Sequence, residues 1–534
     1  MKISLVIPVF NALKDVKVCI KSVLKNFDFS LGEVLIIDDF SENDTKNYLT
    51  KVAEKYKDKL TLQRNSENLG WLKTCNNAVK FSNNEIIVLL NSDCVIPKNF
   101  CQKIIKCFEA DIDIVTASPI ASATAQNYIP LIFPINVMNW LLEVRKPTYP
   151  DLYNSDGFCF CVRKDYINNV RNGLLFDPIY NKGYCEEVDF CFDVQTHNKR
   201  TVLIDDLYLI HKRHKSFKGD RAKYLTENNK IFYSKWGDLI TNKECQTKEK
   251  SPIIRVINET FGCFAIIIRL LRKLKGQMNS NRILTLRNIF KKYENKKSLR
   301  KVIYTCISGK YDILPIIQDY YAKDWKYVCF TNNKTLLKLR QIGMWELRPM
   351  QYTNLDSTKN ARWHKTHPHI LFPECDESIW IDSNINILTN YLFEEINNKN
   401  SDILVPIHYC RNCIYKEFGV VEALGKDSEE NSKNTLKFIK EQNMPENYGM
   451  NETNIIYRKH HNPKIKELME DWWYMIENYT KRDQLSFSYI LWKHNIKIQD
   501  ISIDNARIDK LNFKMYSHNP TRTITGKMLS LIFR

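Results

Sequence analysis

The 534-residue chain contains no run approaching the roughly 18 apolar residues that span a bilayer; its longest candidate is "CFAIII", Cys263 to Ile268. A membrane-crossing protein is therefore not expected. Neither end reads as a signal peptide. The sixteen cysteines form no paired C-x-x-C sets, which excludes zinc ribbons and secreted disulfide frameworks and predicts reduced thiols in a cytosol. A G-x-S-x-G nucleophile elbow is missing too, which leaves a serine-hydrolase reading without support. What is present is length, 44% hydrophobic content and hence enough apolar material for two or three packed cores. A formal net charge of +18 implies partners that are anionic in bulk: nucleic acid, acidic lipid or phosphorylated substrates.

The chain breaks once in character. Up to about Lys250, strand-like runs such as "ISLVIPVF", "GEVLIID" and "EIIVLLN" alternate with helix-like segments such as "DVKVCIKSVLKNF". That βαβ rhythm predicts a mostly parallel sheet. Residues 251–301 then hold thirteen Lys or Arg against Glu259 and Glu294, a basic linker with helical periodicity. A second α/β pattern starts at "KVIYTCISGKYD" and recurs in "WKYVCFTNN" and "ESIWIDSNINI". The expected organisation is a first domain over 1–245, a linker over 246–300, a second domain over 301–520 and a basic, apolar tail over 521–534.

Polar residues follow strand one ("PVFN"), strand two ("IIDDFSEND") and a later strand ("LLNSD"). In open α/β sheets ligands bind outside the carboxyl ends of strands, so three such ends predict one crevice. A carboxylate there suits a hard divalent cation that neutralises a departing diphosphate. A single Asp after a strand would be read as a turn or cap; three together argue for a site.

These residues, with "NLGWLKTCNNAV" (Asn68 to Val79), "GYCEEVDFCFDV" (Gly183 to Val194) and "HKRHKSF" (His211 to Phe217) in the same order, resemble family 2 glycosyltransferases of the GT-A fold, rhamnosyltransferase-like branch. The resemblance covers residues 1–240. It implies a nucleotide-sugar donor held by Pro8, Asn11, Asp38, Asp39, Asn68, Asn76 and Asn91, with Asp39 on the base. It further implies that Asp93 is the metal-binding end of a DxD-type motif whose first position is Asn91 here, with Mg2+ or Mn2+ as the ion and His211 as another ligand.

An inverting transfer also needs a carboxylate to take the proton of the attacking sugar hydroxyl. The "EEVD" cluster supplies candidates: Glu187 occupies the family's base position, Glu186 stays open as its alternative, and Asp189 orients neighbours or caps the helix. An acidic helix start favoured by the macrodipole is the competing reading.

In the second half, "RWHKTHPHILFPECDESIWIDSNINI" (Arg362 to Ile387) again ends a strand in a polar tip. With "VCFTNN", "HYCRNCIYKE" and "RDQLSFSYILWK" it resembles a glycosyltransferase-like family of plant cell-wall and bacterial surface-polysaccharide proteins, over about 301–520. Asp382 and Asn384 are candidates for metal and diphosphate, Arg362 and Lys365 for phosphate oxygens, Asp483 for orienting or deprotonating an acceptor, and His518 for a last metal ligand. A zinc cluster of His364, His367 and His369 is an alternative, and Trp472 and Trp473 read as core rather than as a sugar platform.

The basic linker and tail account for the charge better than nucleic acid does. "IIRVINETFGCFAIIIRLLRKLK", Ile253 to Lys275, reads equally as a helix on an anionic bilayer or as an interdomain helix. The expected protein is thus two GT-A-like, Rossmann-related α/β domains joined by a basic helical linker. It is a cytoplasmic glycosyltransferase, peripheral at the inner face of the plasma membrane, extending a bacterial surface glycan or lipid-linked glycan. The competing readings make the second domain a carbohydrate-binding scaffold or a lipid amide hydrolase.

Overall fold

The computed structural model describes residues 1–124, 127–181, 183–212, 221–247, 252–280, 299–309, 312, 314–423 and 427–516. Its described residues divide into two compact units, Met1–Phe232 with Gln246–Lys273, and Tyr233–Cys245 with Leu274–Arg534.

The first unit is built on strands β1 (Ile3–Val9), β2 (Gly32–Asp38), β3 (Leu60–Arg64), β4 (Ile86–Leu90), β5 (Cys94–Val95), β6 (Ile114–Ala121), β7 (Cys159–Arg163) and β8 (Arg200–His211). Their order in the sheet is β3-β2-β1-β4-β7-β6-β8-β5. The first four run parallel, β7 is antiparallel to both neighbours, and β5 closes the edge antiparallel to β8. Every residue of β1 and β4 is buried, as a parallel strand covered on both faces requires. Helix Leu13–Asn26 lays Val16, Cys19, Ile20 and Val23 on the sheet, one stripe at helical spacing. Because β1, β2 and β4 are parallel and adjacent, their carboxyl ends open side by side.

The segment read as a linker is helical over Pro252–Phe261 and again over Ala265–Ser280. Its Ile253, Val256, Ile257, Phe261, Ala265 and Ile268 are buried against Ile120, Leu142, Leu203 and Tyr208 of the first unit, so one apolar face of the amphipath belongs to the protein's own core. No helix among the described residues is long and apolar enough to cross a membrane.

The second unit repeats the plan. Strands β9 (Lys301–Ile307), β10 (Lys326–Thr331), β11 (Gln341–Ile342), β12 (Trp345–Pro349), β13 (Glu377–Ile381), β14 (Ile385–Ile387), β15 (Ile403–Pro406), β16 (Ile455–Arg458), β17 (Ser502–Ile503) and β18 (Phe513–Met515) are present. They form one sheet in the order β11-β12-β10-β9-β13-β16-β15-β17 and a separate β14-β18 pair. In that sheet β12-β10, β10-β9, β9-β13 and β15-β17 are parallel, and β11-β12, β13-β16 and β15-β16 antiparallel; β14-β18 is antiparallel too. The α/β class with two mixed, mostly parallel sheets is the one expected from the strand pattern. Trp472 and Trp473, on helix Pro463–Asn478, are buried in the core.

Candidate functional site

The carboxyl end of β2 delivers two aspartates with different duties. Asp38 receives the Ser41 amide at 2.9 Å and pairs with Arg64, so it braces the loop after the strand. Asp39 accepts from the amides of Leu69 at 2.8 Å and Gly70 at 2.9 Å, and from Asn65 Nδ2 at 2.8 Å. Its carboxylate thereby fixes the loop that leads into helix Trp71–Phe81. Asn11, in the left-handed region at φ 55°, joins the ends of β1 and β2: it accepts from the Glu42 amide at 2.8 Å, and its own amide donates to Ser41 at 2.9 Å.

At the end of β4 the chain turns through Asn91 and Asp93 into the two-residue strand β5. The pairing Cys94↔His211 carries Asp93 to His211, and Nε2 of the imidazole lies 3.4 Å from Asp93 Oδ1. The other ring nitrogen, Nδ1, is 2.6 Å from the Ala123 carbonyl; a carbonyl only accepts, so Nδ1 carries a hydrogen and Nε2 is the nitrogen that faces the carboxylate. This is the arrangement by which an imidazole is oriented as a metal ligand. A 3.4 Å separation is about that of two ligands each ~2.1 Å from one ion. The neighbouring Cys94 sulfur also lies within this group, but it points to the Phe158 carbonyl at 3.6 Å and, as a soft ligand, suits a hard cation poorly. The residues present thus fit a divalent ion held by Asp93 and His211.

Glu186 and Glu187 open helix Glu186–Thr196 after two residues, Tyr184 and Cys185, both at φ 75°. Non-glycine residues in that region store backbone strain, which clusters at functional sites. Burial, and then the neighbouring Glu187 charge, push Glu186 well above the usual carboxylate range; burial and the Asp156 charge push Glu187 up as well. Two neighbouring buried carboxyls resist ionising together, so the pair holds a proton more readily than a single exposed glutamate does. Oε2 of each is buried without a hydrogen-bond partner.

One short segment connects these pieces. A Cβ at Gly157 would stand 3.2 Å from Glu187 Oε1, so the carboxylate seats itself against a residue that has no side chain. The next residue, Phe158, stacks its ring on His211 at 5.0 Å and accepts from the Asn91 amide at 2.9 Å. On the other side Trp71, adjoining the Asp39-bound loop, shares the space over Gly183 with Glu186: a Cβ there would stand 3.5 Å from Glu186 Oε1 and 3.8 Å from Trp71 Cδ1. Asn91, Asp93, His211 and Glu187 are thereby linked through Gly157–Phe158, and Glu186 and the Asp39-bound loop adjoin them through Trp71.

Other expected residues lie elsewhere. Asn76 exchanges hydrogen bonds with both backbone groups of Phe176, at 2.8 and 2.7 Å. Asp189 is fully buried, accepting from Tyr180 Oη at 2.9 Å with Arg171 at 3.9 Å, which makes it an orienting group. Asn68 is exposed and Pro8 lies within β1. Asp156, Gly157 and Trp71 were not singled out from sequence; the turn "SDG" before the strand "CFCVR" was the available signal.

In the second unit the tip of β13 meets the start of β16, the Asp382 amide donating to the Asn454 carbonyl at 2.8 Å. Lys365 Nζ lies 2.5 Å from Asp483 Oδ2, 3.1 Å from Thr453 Oγ1 and 4.0 Å from Asp382 Oδ1, and Arg362 Nε is 3.2 Å from the same Asp483 oxygen. Burial alone would raise the Asp483 carboxyl, but Arg362, Lys365 and Arg482 overcome it and hold the group well below the usual range. Such a carboxylate orients cations and is a poor proton acceptor. Asn384 Nδ2 ties down the Tyr516 carbonyl at 2.6 Å. Its Oδ1, and both amide atoms of Asn454, are buried without hydrogen-bond partners, a polar lining of the kind that ligands complete. His518 and the tail lie outside the described residues. The zinc alternative does not hold for His364: Nδ1 is 2.8 Å from the Asn360 carbonyl and Nε2 accepts from the Gln351 amide at 2.9 Å, leaving no lone pair for a metal.

Residues 4–170 match the family model described as Glycosyl transferase family 2, and residues 278–519 match TOD1/MUCI70, glycosyltransferase-like domain. No curated protein matches the chain. Solved structures similar to it include GalNAc-T7 with UDP, GalNAc and Mn2+ (15% identity, TM-score 0.35, 42% of this chain and 47% of that one). The mannosyltransferase PcManGT from Pyrobaculum calidifontis with GDP-Man and Mn2+ (15%, 0.32, 43% and 62%) and S. aureus TarS 1-349 (18%, 0.33, 44% and 64%) are similar as well. The chain spans less than two thirds of each of these relatives. The N-terminal part is a family 2 glycosyltransferase domain, and the C-terminal part is a TOD1/MUCI70 glycosyltransferase-like domain.

Proposed function

We propose that the chain is a glycosyltransferase whose first unit transfers a sugar, with inversion, from a nucleotide-sugar donor to a hydroxyl of a growing bacterial surface glycan or lipid-linked glycan. The observation that supports this reading is the continuity through Gly157–Phe158: Glu187 leans on Gly157, and the next residue, Phe158, stacks on His211, whose Nε2 lies 3.4 Å from Asp93. Asp93 and His211 would hold Mg2+ or Mn2+, which when bound would neutralise the charge of the departing diphosphate. Asn11, Asn91 and the loop fixed by Asp39 wall the nucleotide end. Glu187 accepts the acceptor hydroxyl's proton while its oxygen bonds to the anomeric carbon and the bond from that carbon to the diphosphate breaks. Glu186 beside it raises the cost of a second charge on the pair, so the two together carry fewer charges than two exposed glutamates would. An acceptor of this kind is presented at the inner face of the plasma membrane, where a peripheral enzyme meets it.

Asp93→Ala tests the metal assignment. Mn2+-dependent binding of UDP and GDP should weaken at least about 10–100-fold, the loss that even supporting residues of a metal site produce. Calorimetry showing wild-type affinity in Asp93→Ala would remove the ion from this pair.

For the second unit we infer a second donor site, with Arg362 and Lys365 toward phosphate and Asp382 and Asn384 toward a cation. A scaffold reading is favoured by one observation, that Asp483 is locked in ion pairs and unsuited to act as a base. Asp382→Ala separates the two. If the unit is catalytic, the variant stops glycan extension at a step different from that of Asp93→Ala; unchanged donor consumption and product length leave it a binding module.

A further inference from the structure

The amphipathic segment that buries one apolar face in the first unit leaves a second one uncovered. On it Phe264, Ile266, Ile267 and Leu270 are 59%, 61%, 52% and 46% exposed, while Ala265 and Ile268 between them are buried. The neighbouring helix Ile135–Leu142 does the same: Met138 and Leu142 enter the shared cluster, and Trp140 and the following Val144 are 63% and 69% exposed. Arg145 Nε, 3.2 Å from Thr260 Oγ1, joins the end of that helix to the segment. Both elements cover the same cluster, and each keeps apolar side chains outward. Phe133, just ahead of the shorter helix, is also exposed.

Soluble surfaces seldom keep apolar groups of this size together without a use. The charges around them select the use. Glu143 pairs with Lys103 at 2.8 Å and Glu259 with Arg255 at 2.7 Å, which neutralises the nearby acids. Lys146 and Arg269 are exposed, in a chain with a net charge of +18. Trp and long aliphatic side chains flanked by cations are the composition that partitions into an anionic lipid interface.

We propose that this composite face docks the first unit on an anionic bilayer. Trp140, Phe264, Ile266, Ile267 and Leu270 enter the headgroup region, and Lys146 and Arg269 meet lipid phosphate. The inference rests on the membrane-peripheral reading above and names the surface that performs it.

The test uses the full chain and vesicles of phosphatidylcholine with phosphatidylglycerol. Wild type should sediment with them at low salt and less as salt rises. A Trp140→Ser/Ile267→Ser variant with an unchanged melting profile should partition about tenfold more weakly or worse, since each lost contact removes a buried apolar side chain. As a second readout, brominated lipid should quench tryptophan emission in wild type but much less in Trp140→Phe. Failure of wild type to sediment at low salt, or equal sedimentation of the double variant, overturns the proposal. So does self-association that the double variant abolishes without any vesicle binding, which makes the face a contact between copies. Donor hydrolysis without vesicles reports on the transferase reading separately, so the two ideas fail independently.

Discussion

Glu187→Gln is expected to remove transfer almost entirely, with turnover down about 10²–10⁴-fold, the usual contribution of a positioned general base, while metal-dependent donor binding stays as in wild type. Gln keeps the shape beside Gly157 and cannot take a proton. The pH profile should carry the same signature. Burial raises the Glu187 carboxyl, and the group works only when ionised, so activity falls as pH drops through a midpoint above the ordinary glutamate value. Glu187→Gln should flatten that acidic limb. A variant that keeps the wild-type rate would move the base to Glu186, and Glu186→Gln is the comparison that decides it.

The largest expected effect on stability lies in the second unit. Asp483→Asn leaves Lys365 and Arg362 facing each other without their shared anion, at side chains 1% and 19% exposed. Removing one partner of a buried pair costs about 3–5 kcal/mol, so the unfolding transition of this unit should shift to markedly lower urea. Replacing Asp483 by Leu and Lys365 by Met together should recover part of the loss, because no unpaired Lys365 charge then remains. The sign with pH follows from the depressed carboxyl: the folded value lies below the unfolded one, so the stabilisation is complete above the unfolded value and is lost as pH falls toward the folded one. An Asp483→Asn protein as stable as wild type would show that the cations find other anions.

Strand ends were legible because they rest on local pattern. The buried run before Asp38 and the one before Asn91 announced parallel strands, and parallel neighbours must open their carboxyl ends together. The roles of single polar residues were less legible, because each depends on a partner far away in sequence. Asn76 looked like a donor-binding residue until Phe176 took both ends of its amide. Asp483 could be read as orienting or deprotonating an acceptor until Lys365 and Arg362, 118 and 121 positions earlier, closed on it and left only the orienting role. Asp156 and Gly157 gave only a turn signal, since the value of a missing Cβ is visible only when Glu187 leans against it. The basic helix was equally ambiguous: its periodicity announced an apolar face, but not that Leu142 and Leu203 would cover one side and leave Phe264 and Ile267 on the other.

The Cys94↔His211 pairing has a thermodynamic consequence. β5 is two residues long and lies on the sheet's outer edge, so the ladder that carries Asp93 to His211 is one of the least reinforced parts of the fold. Opening that rung separates the carboxylate from the imidazole without disturbing β1, β2 or β4. By linkage, any ion that prefers the closed pair must stabilise the edge by the free energy that the closed edge adds to the ion's affinity. Grip on the ligand and fraying of the sheet margin are then a single equilibrium viewed from its two ends.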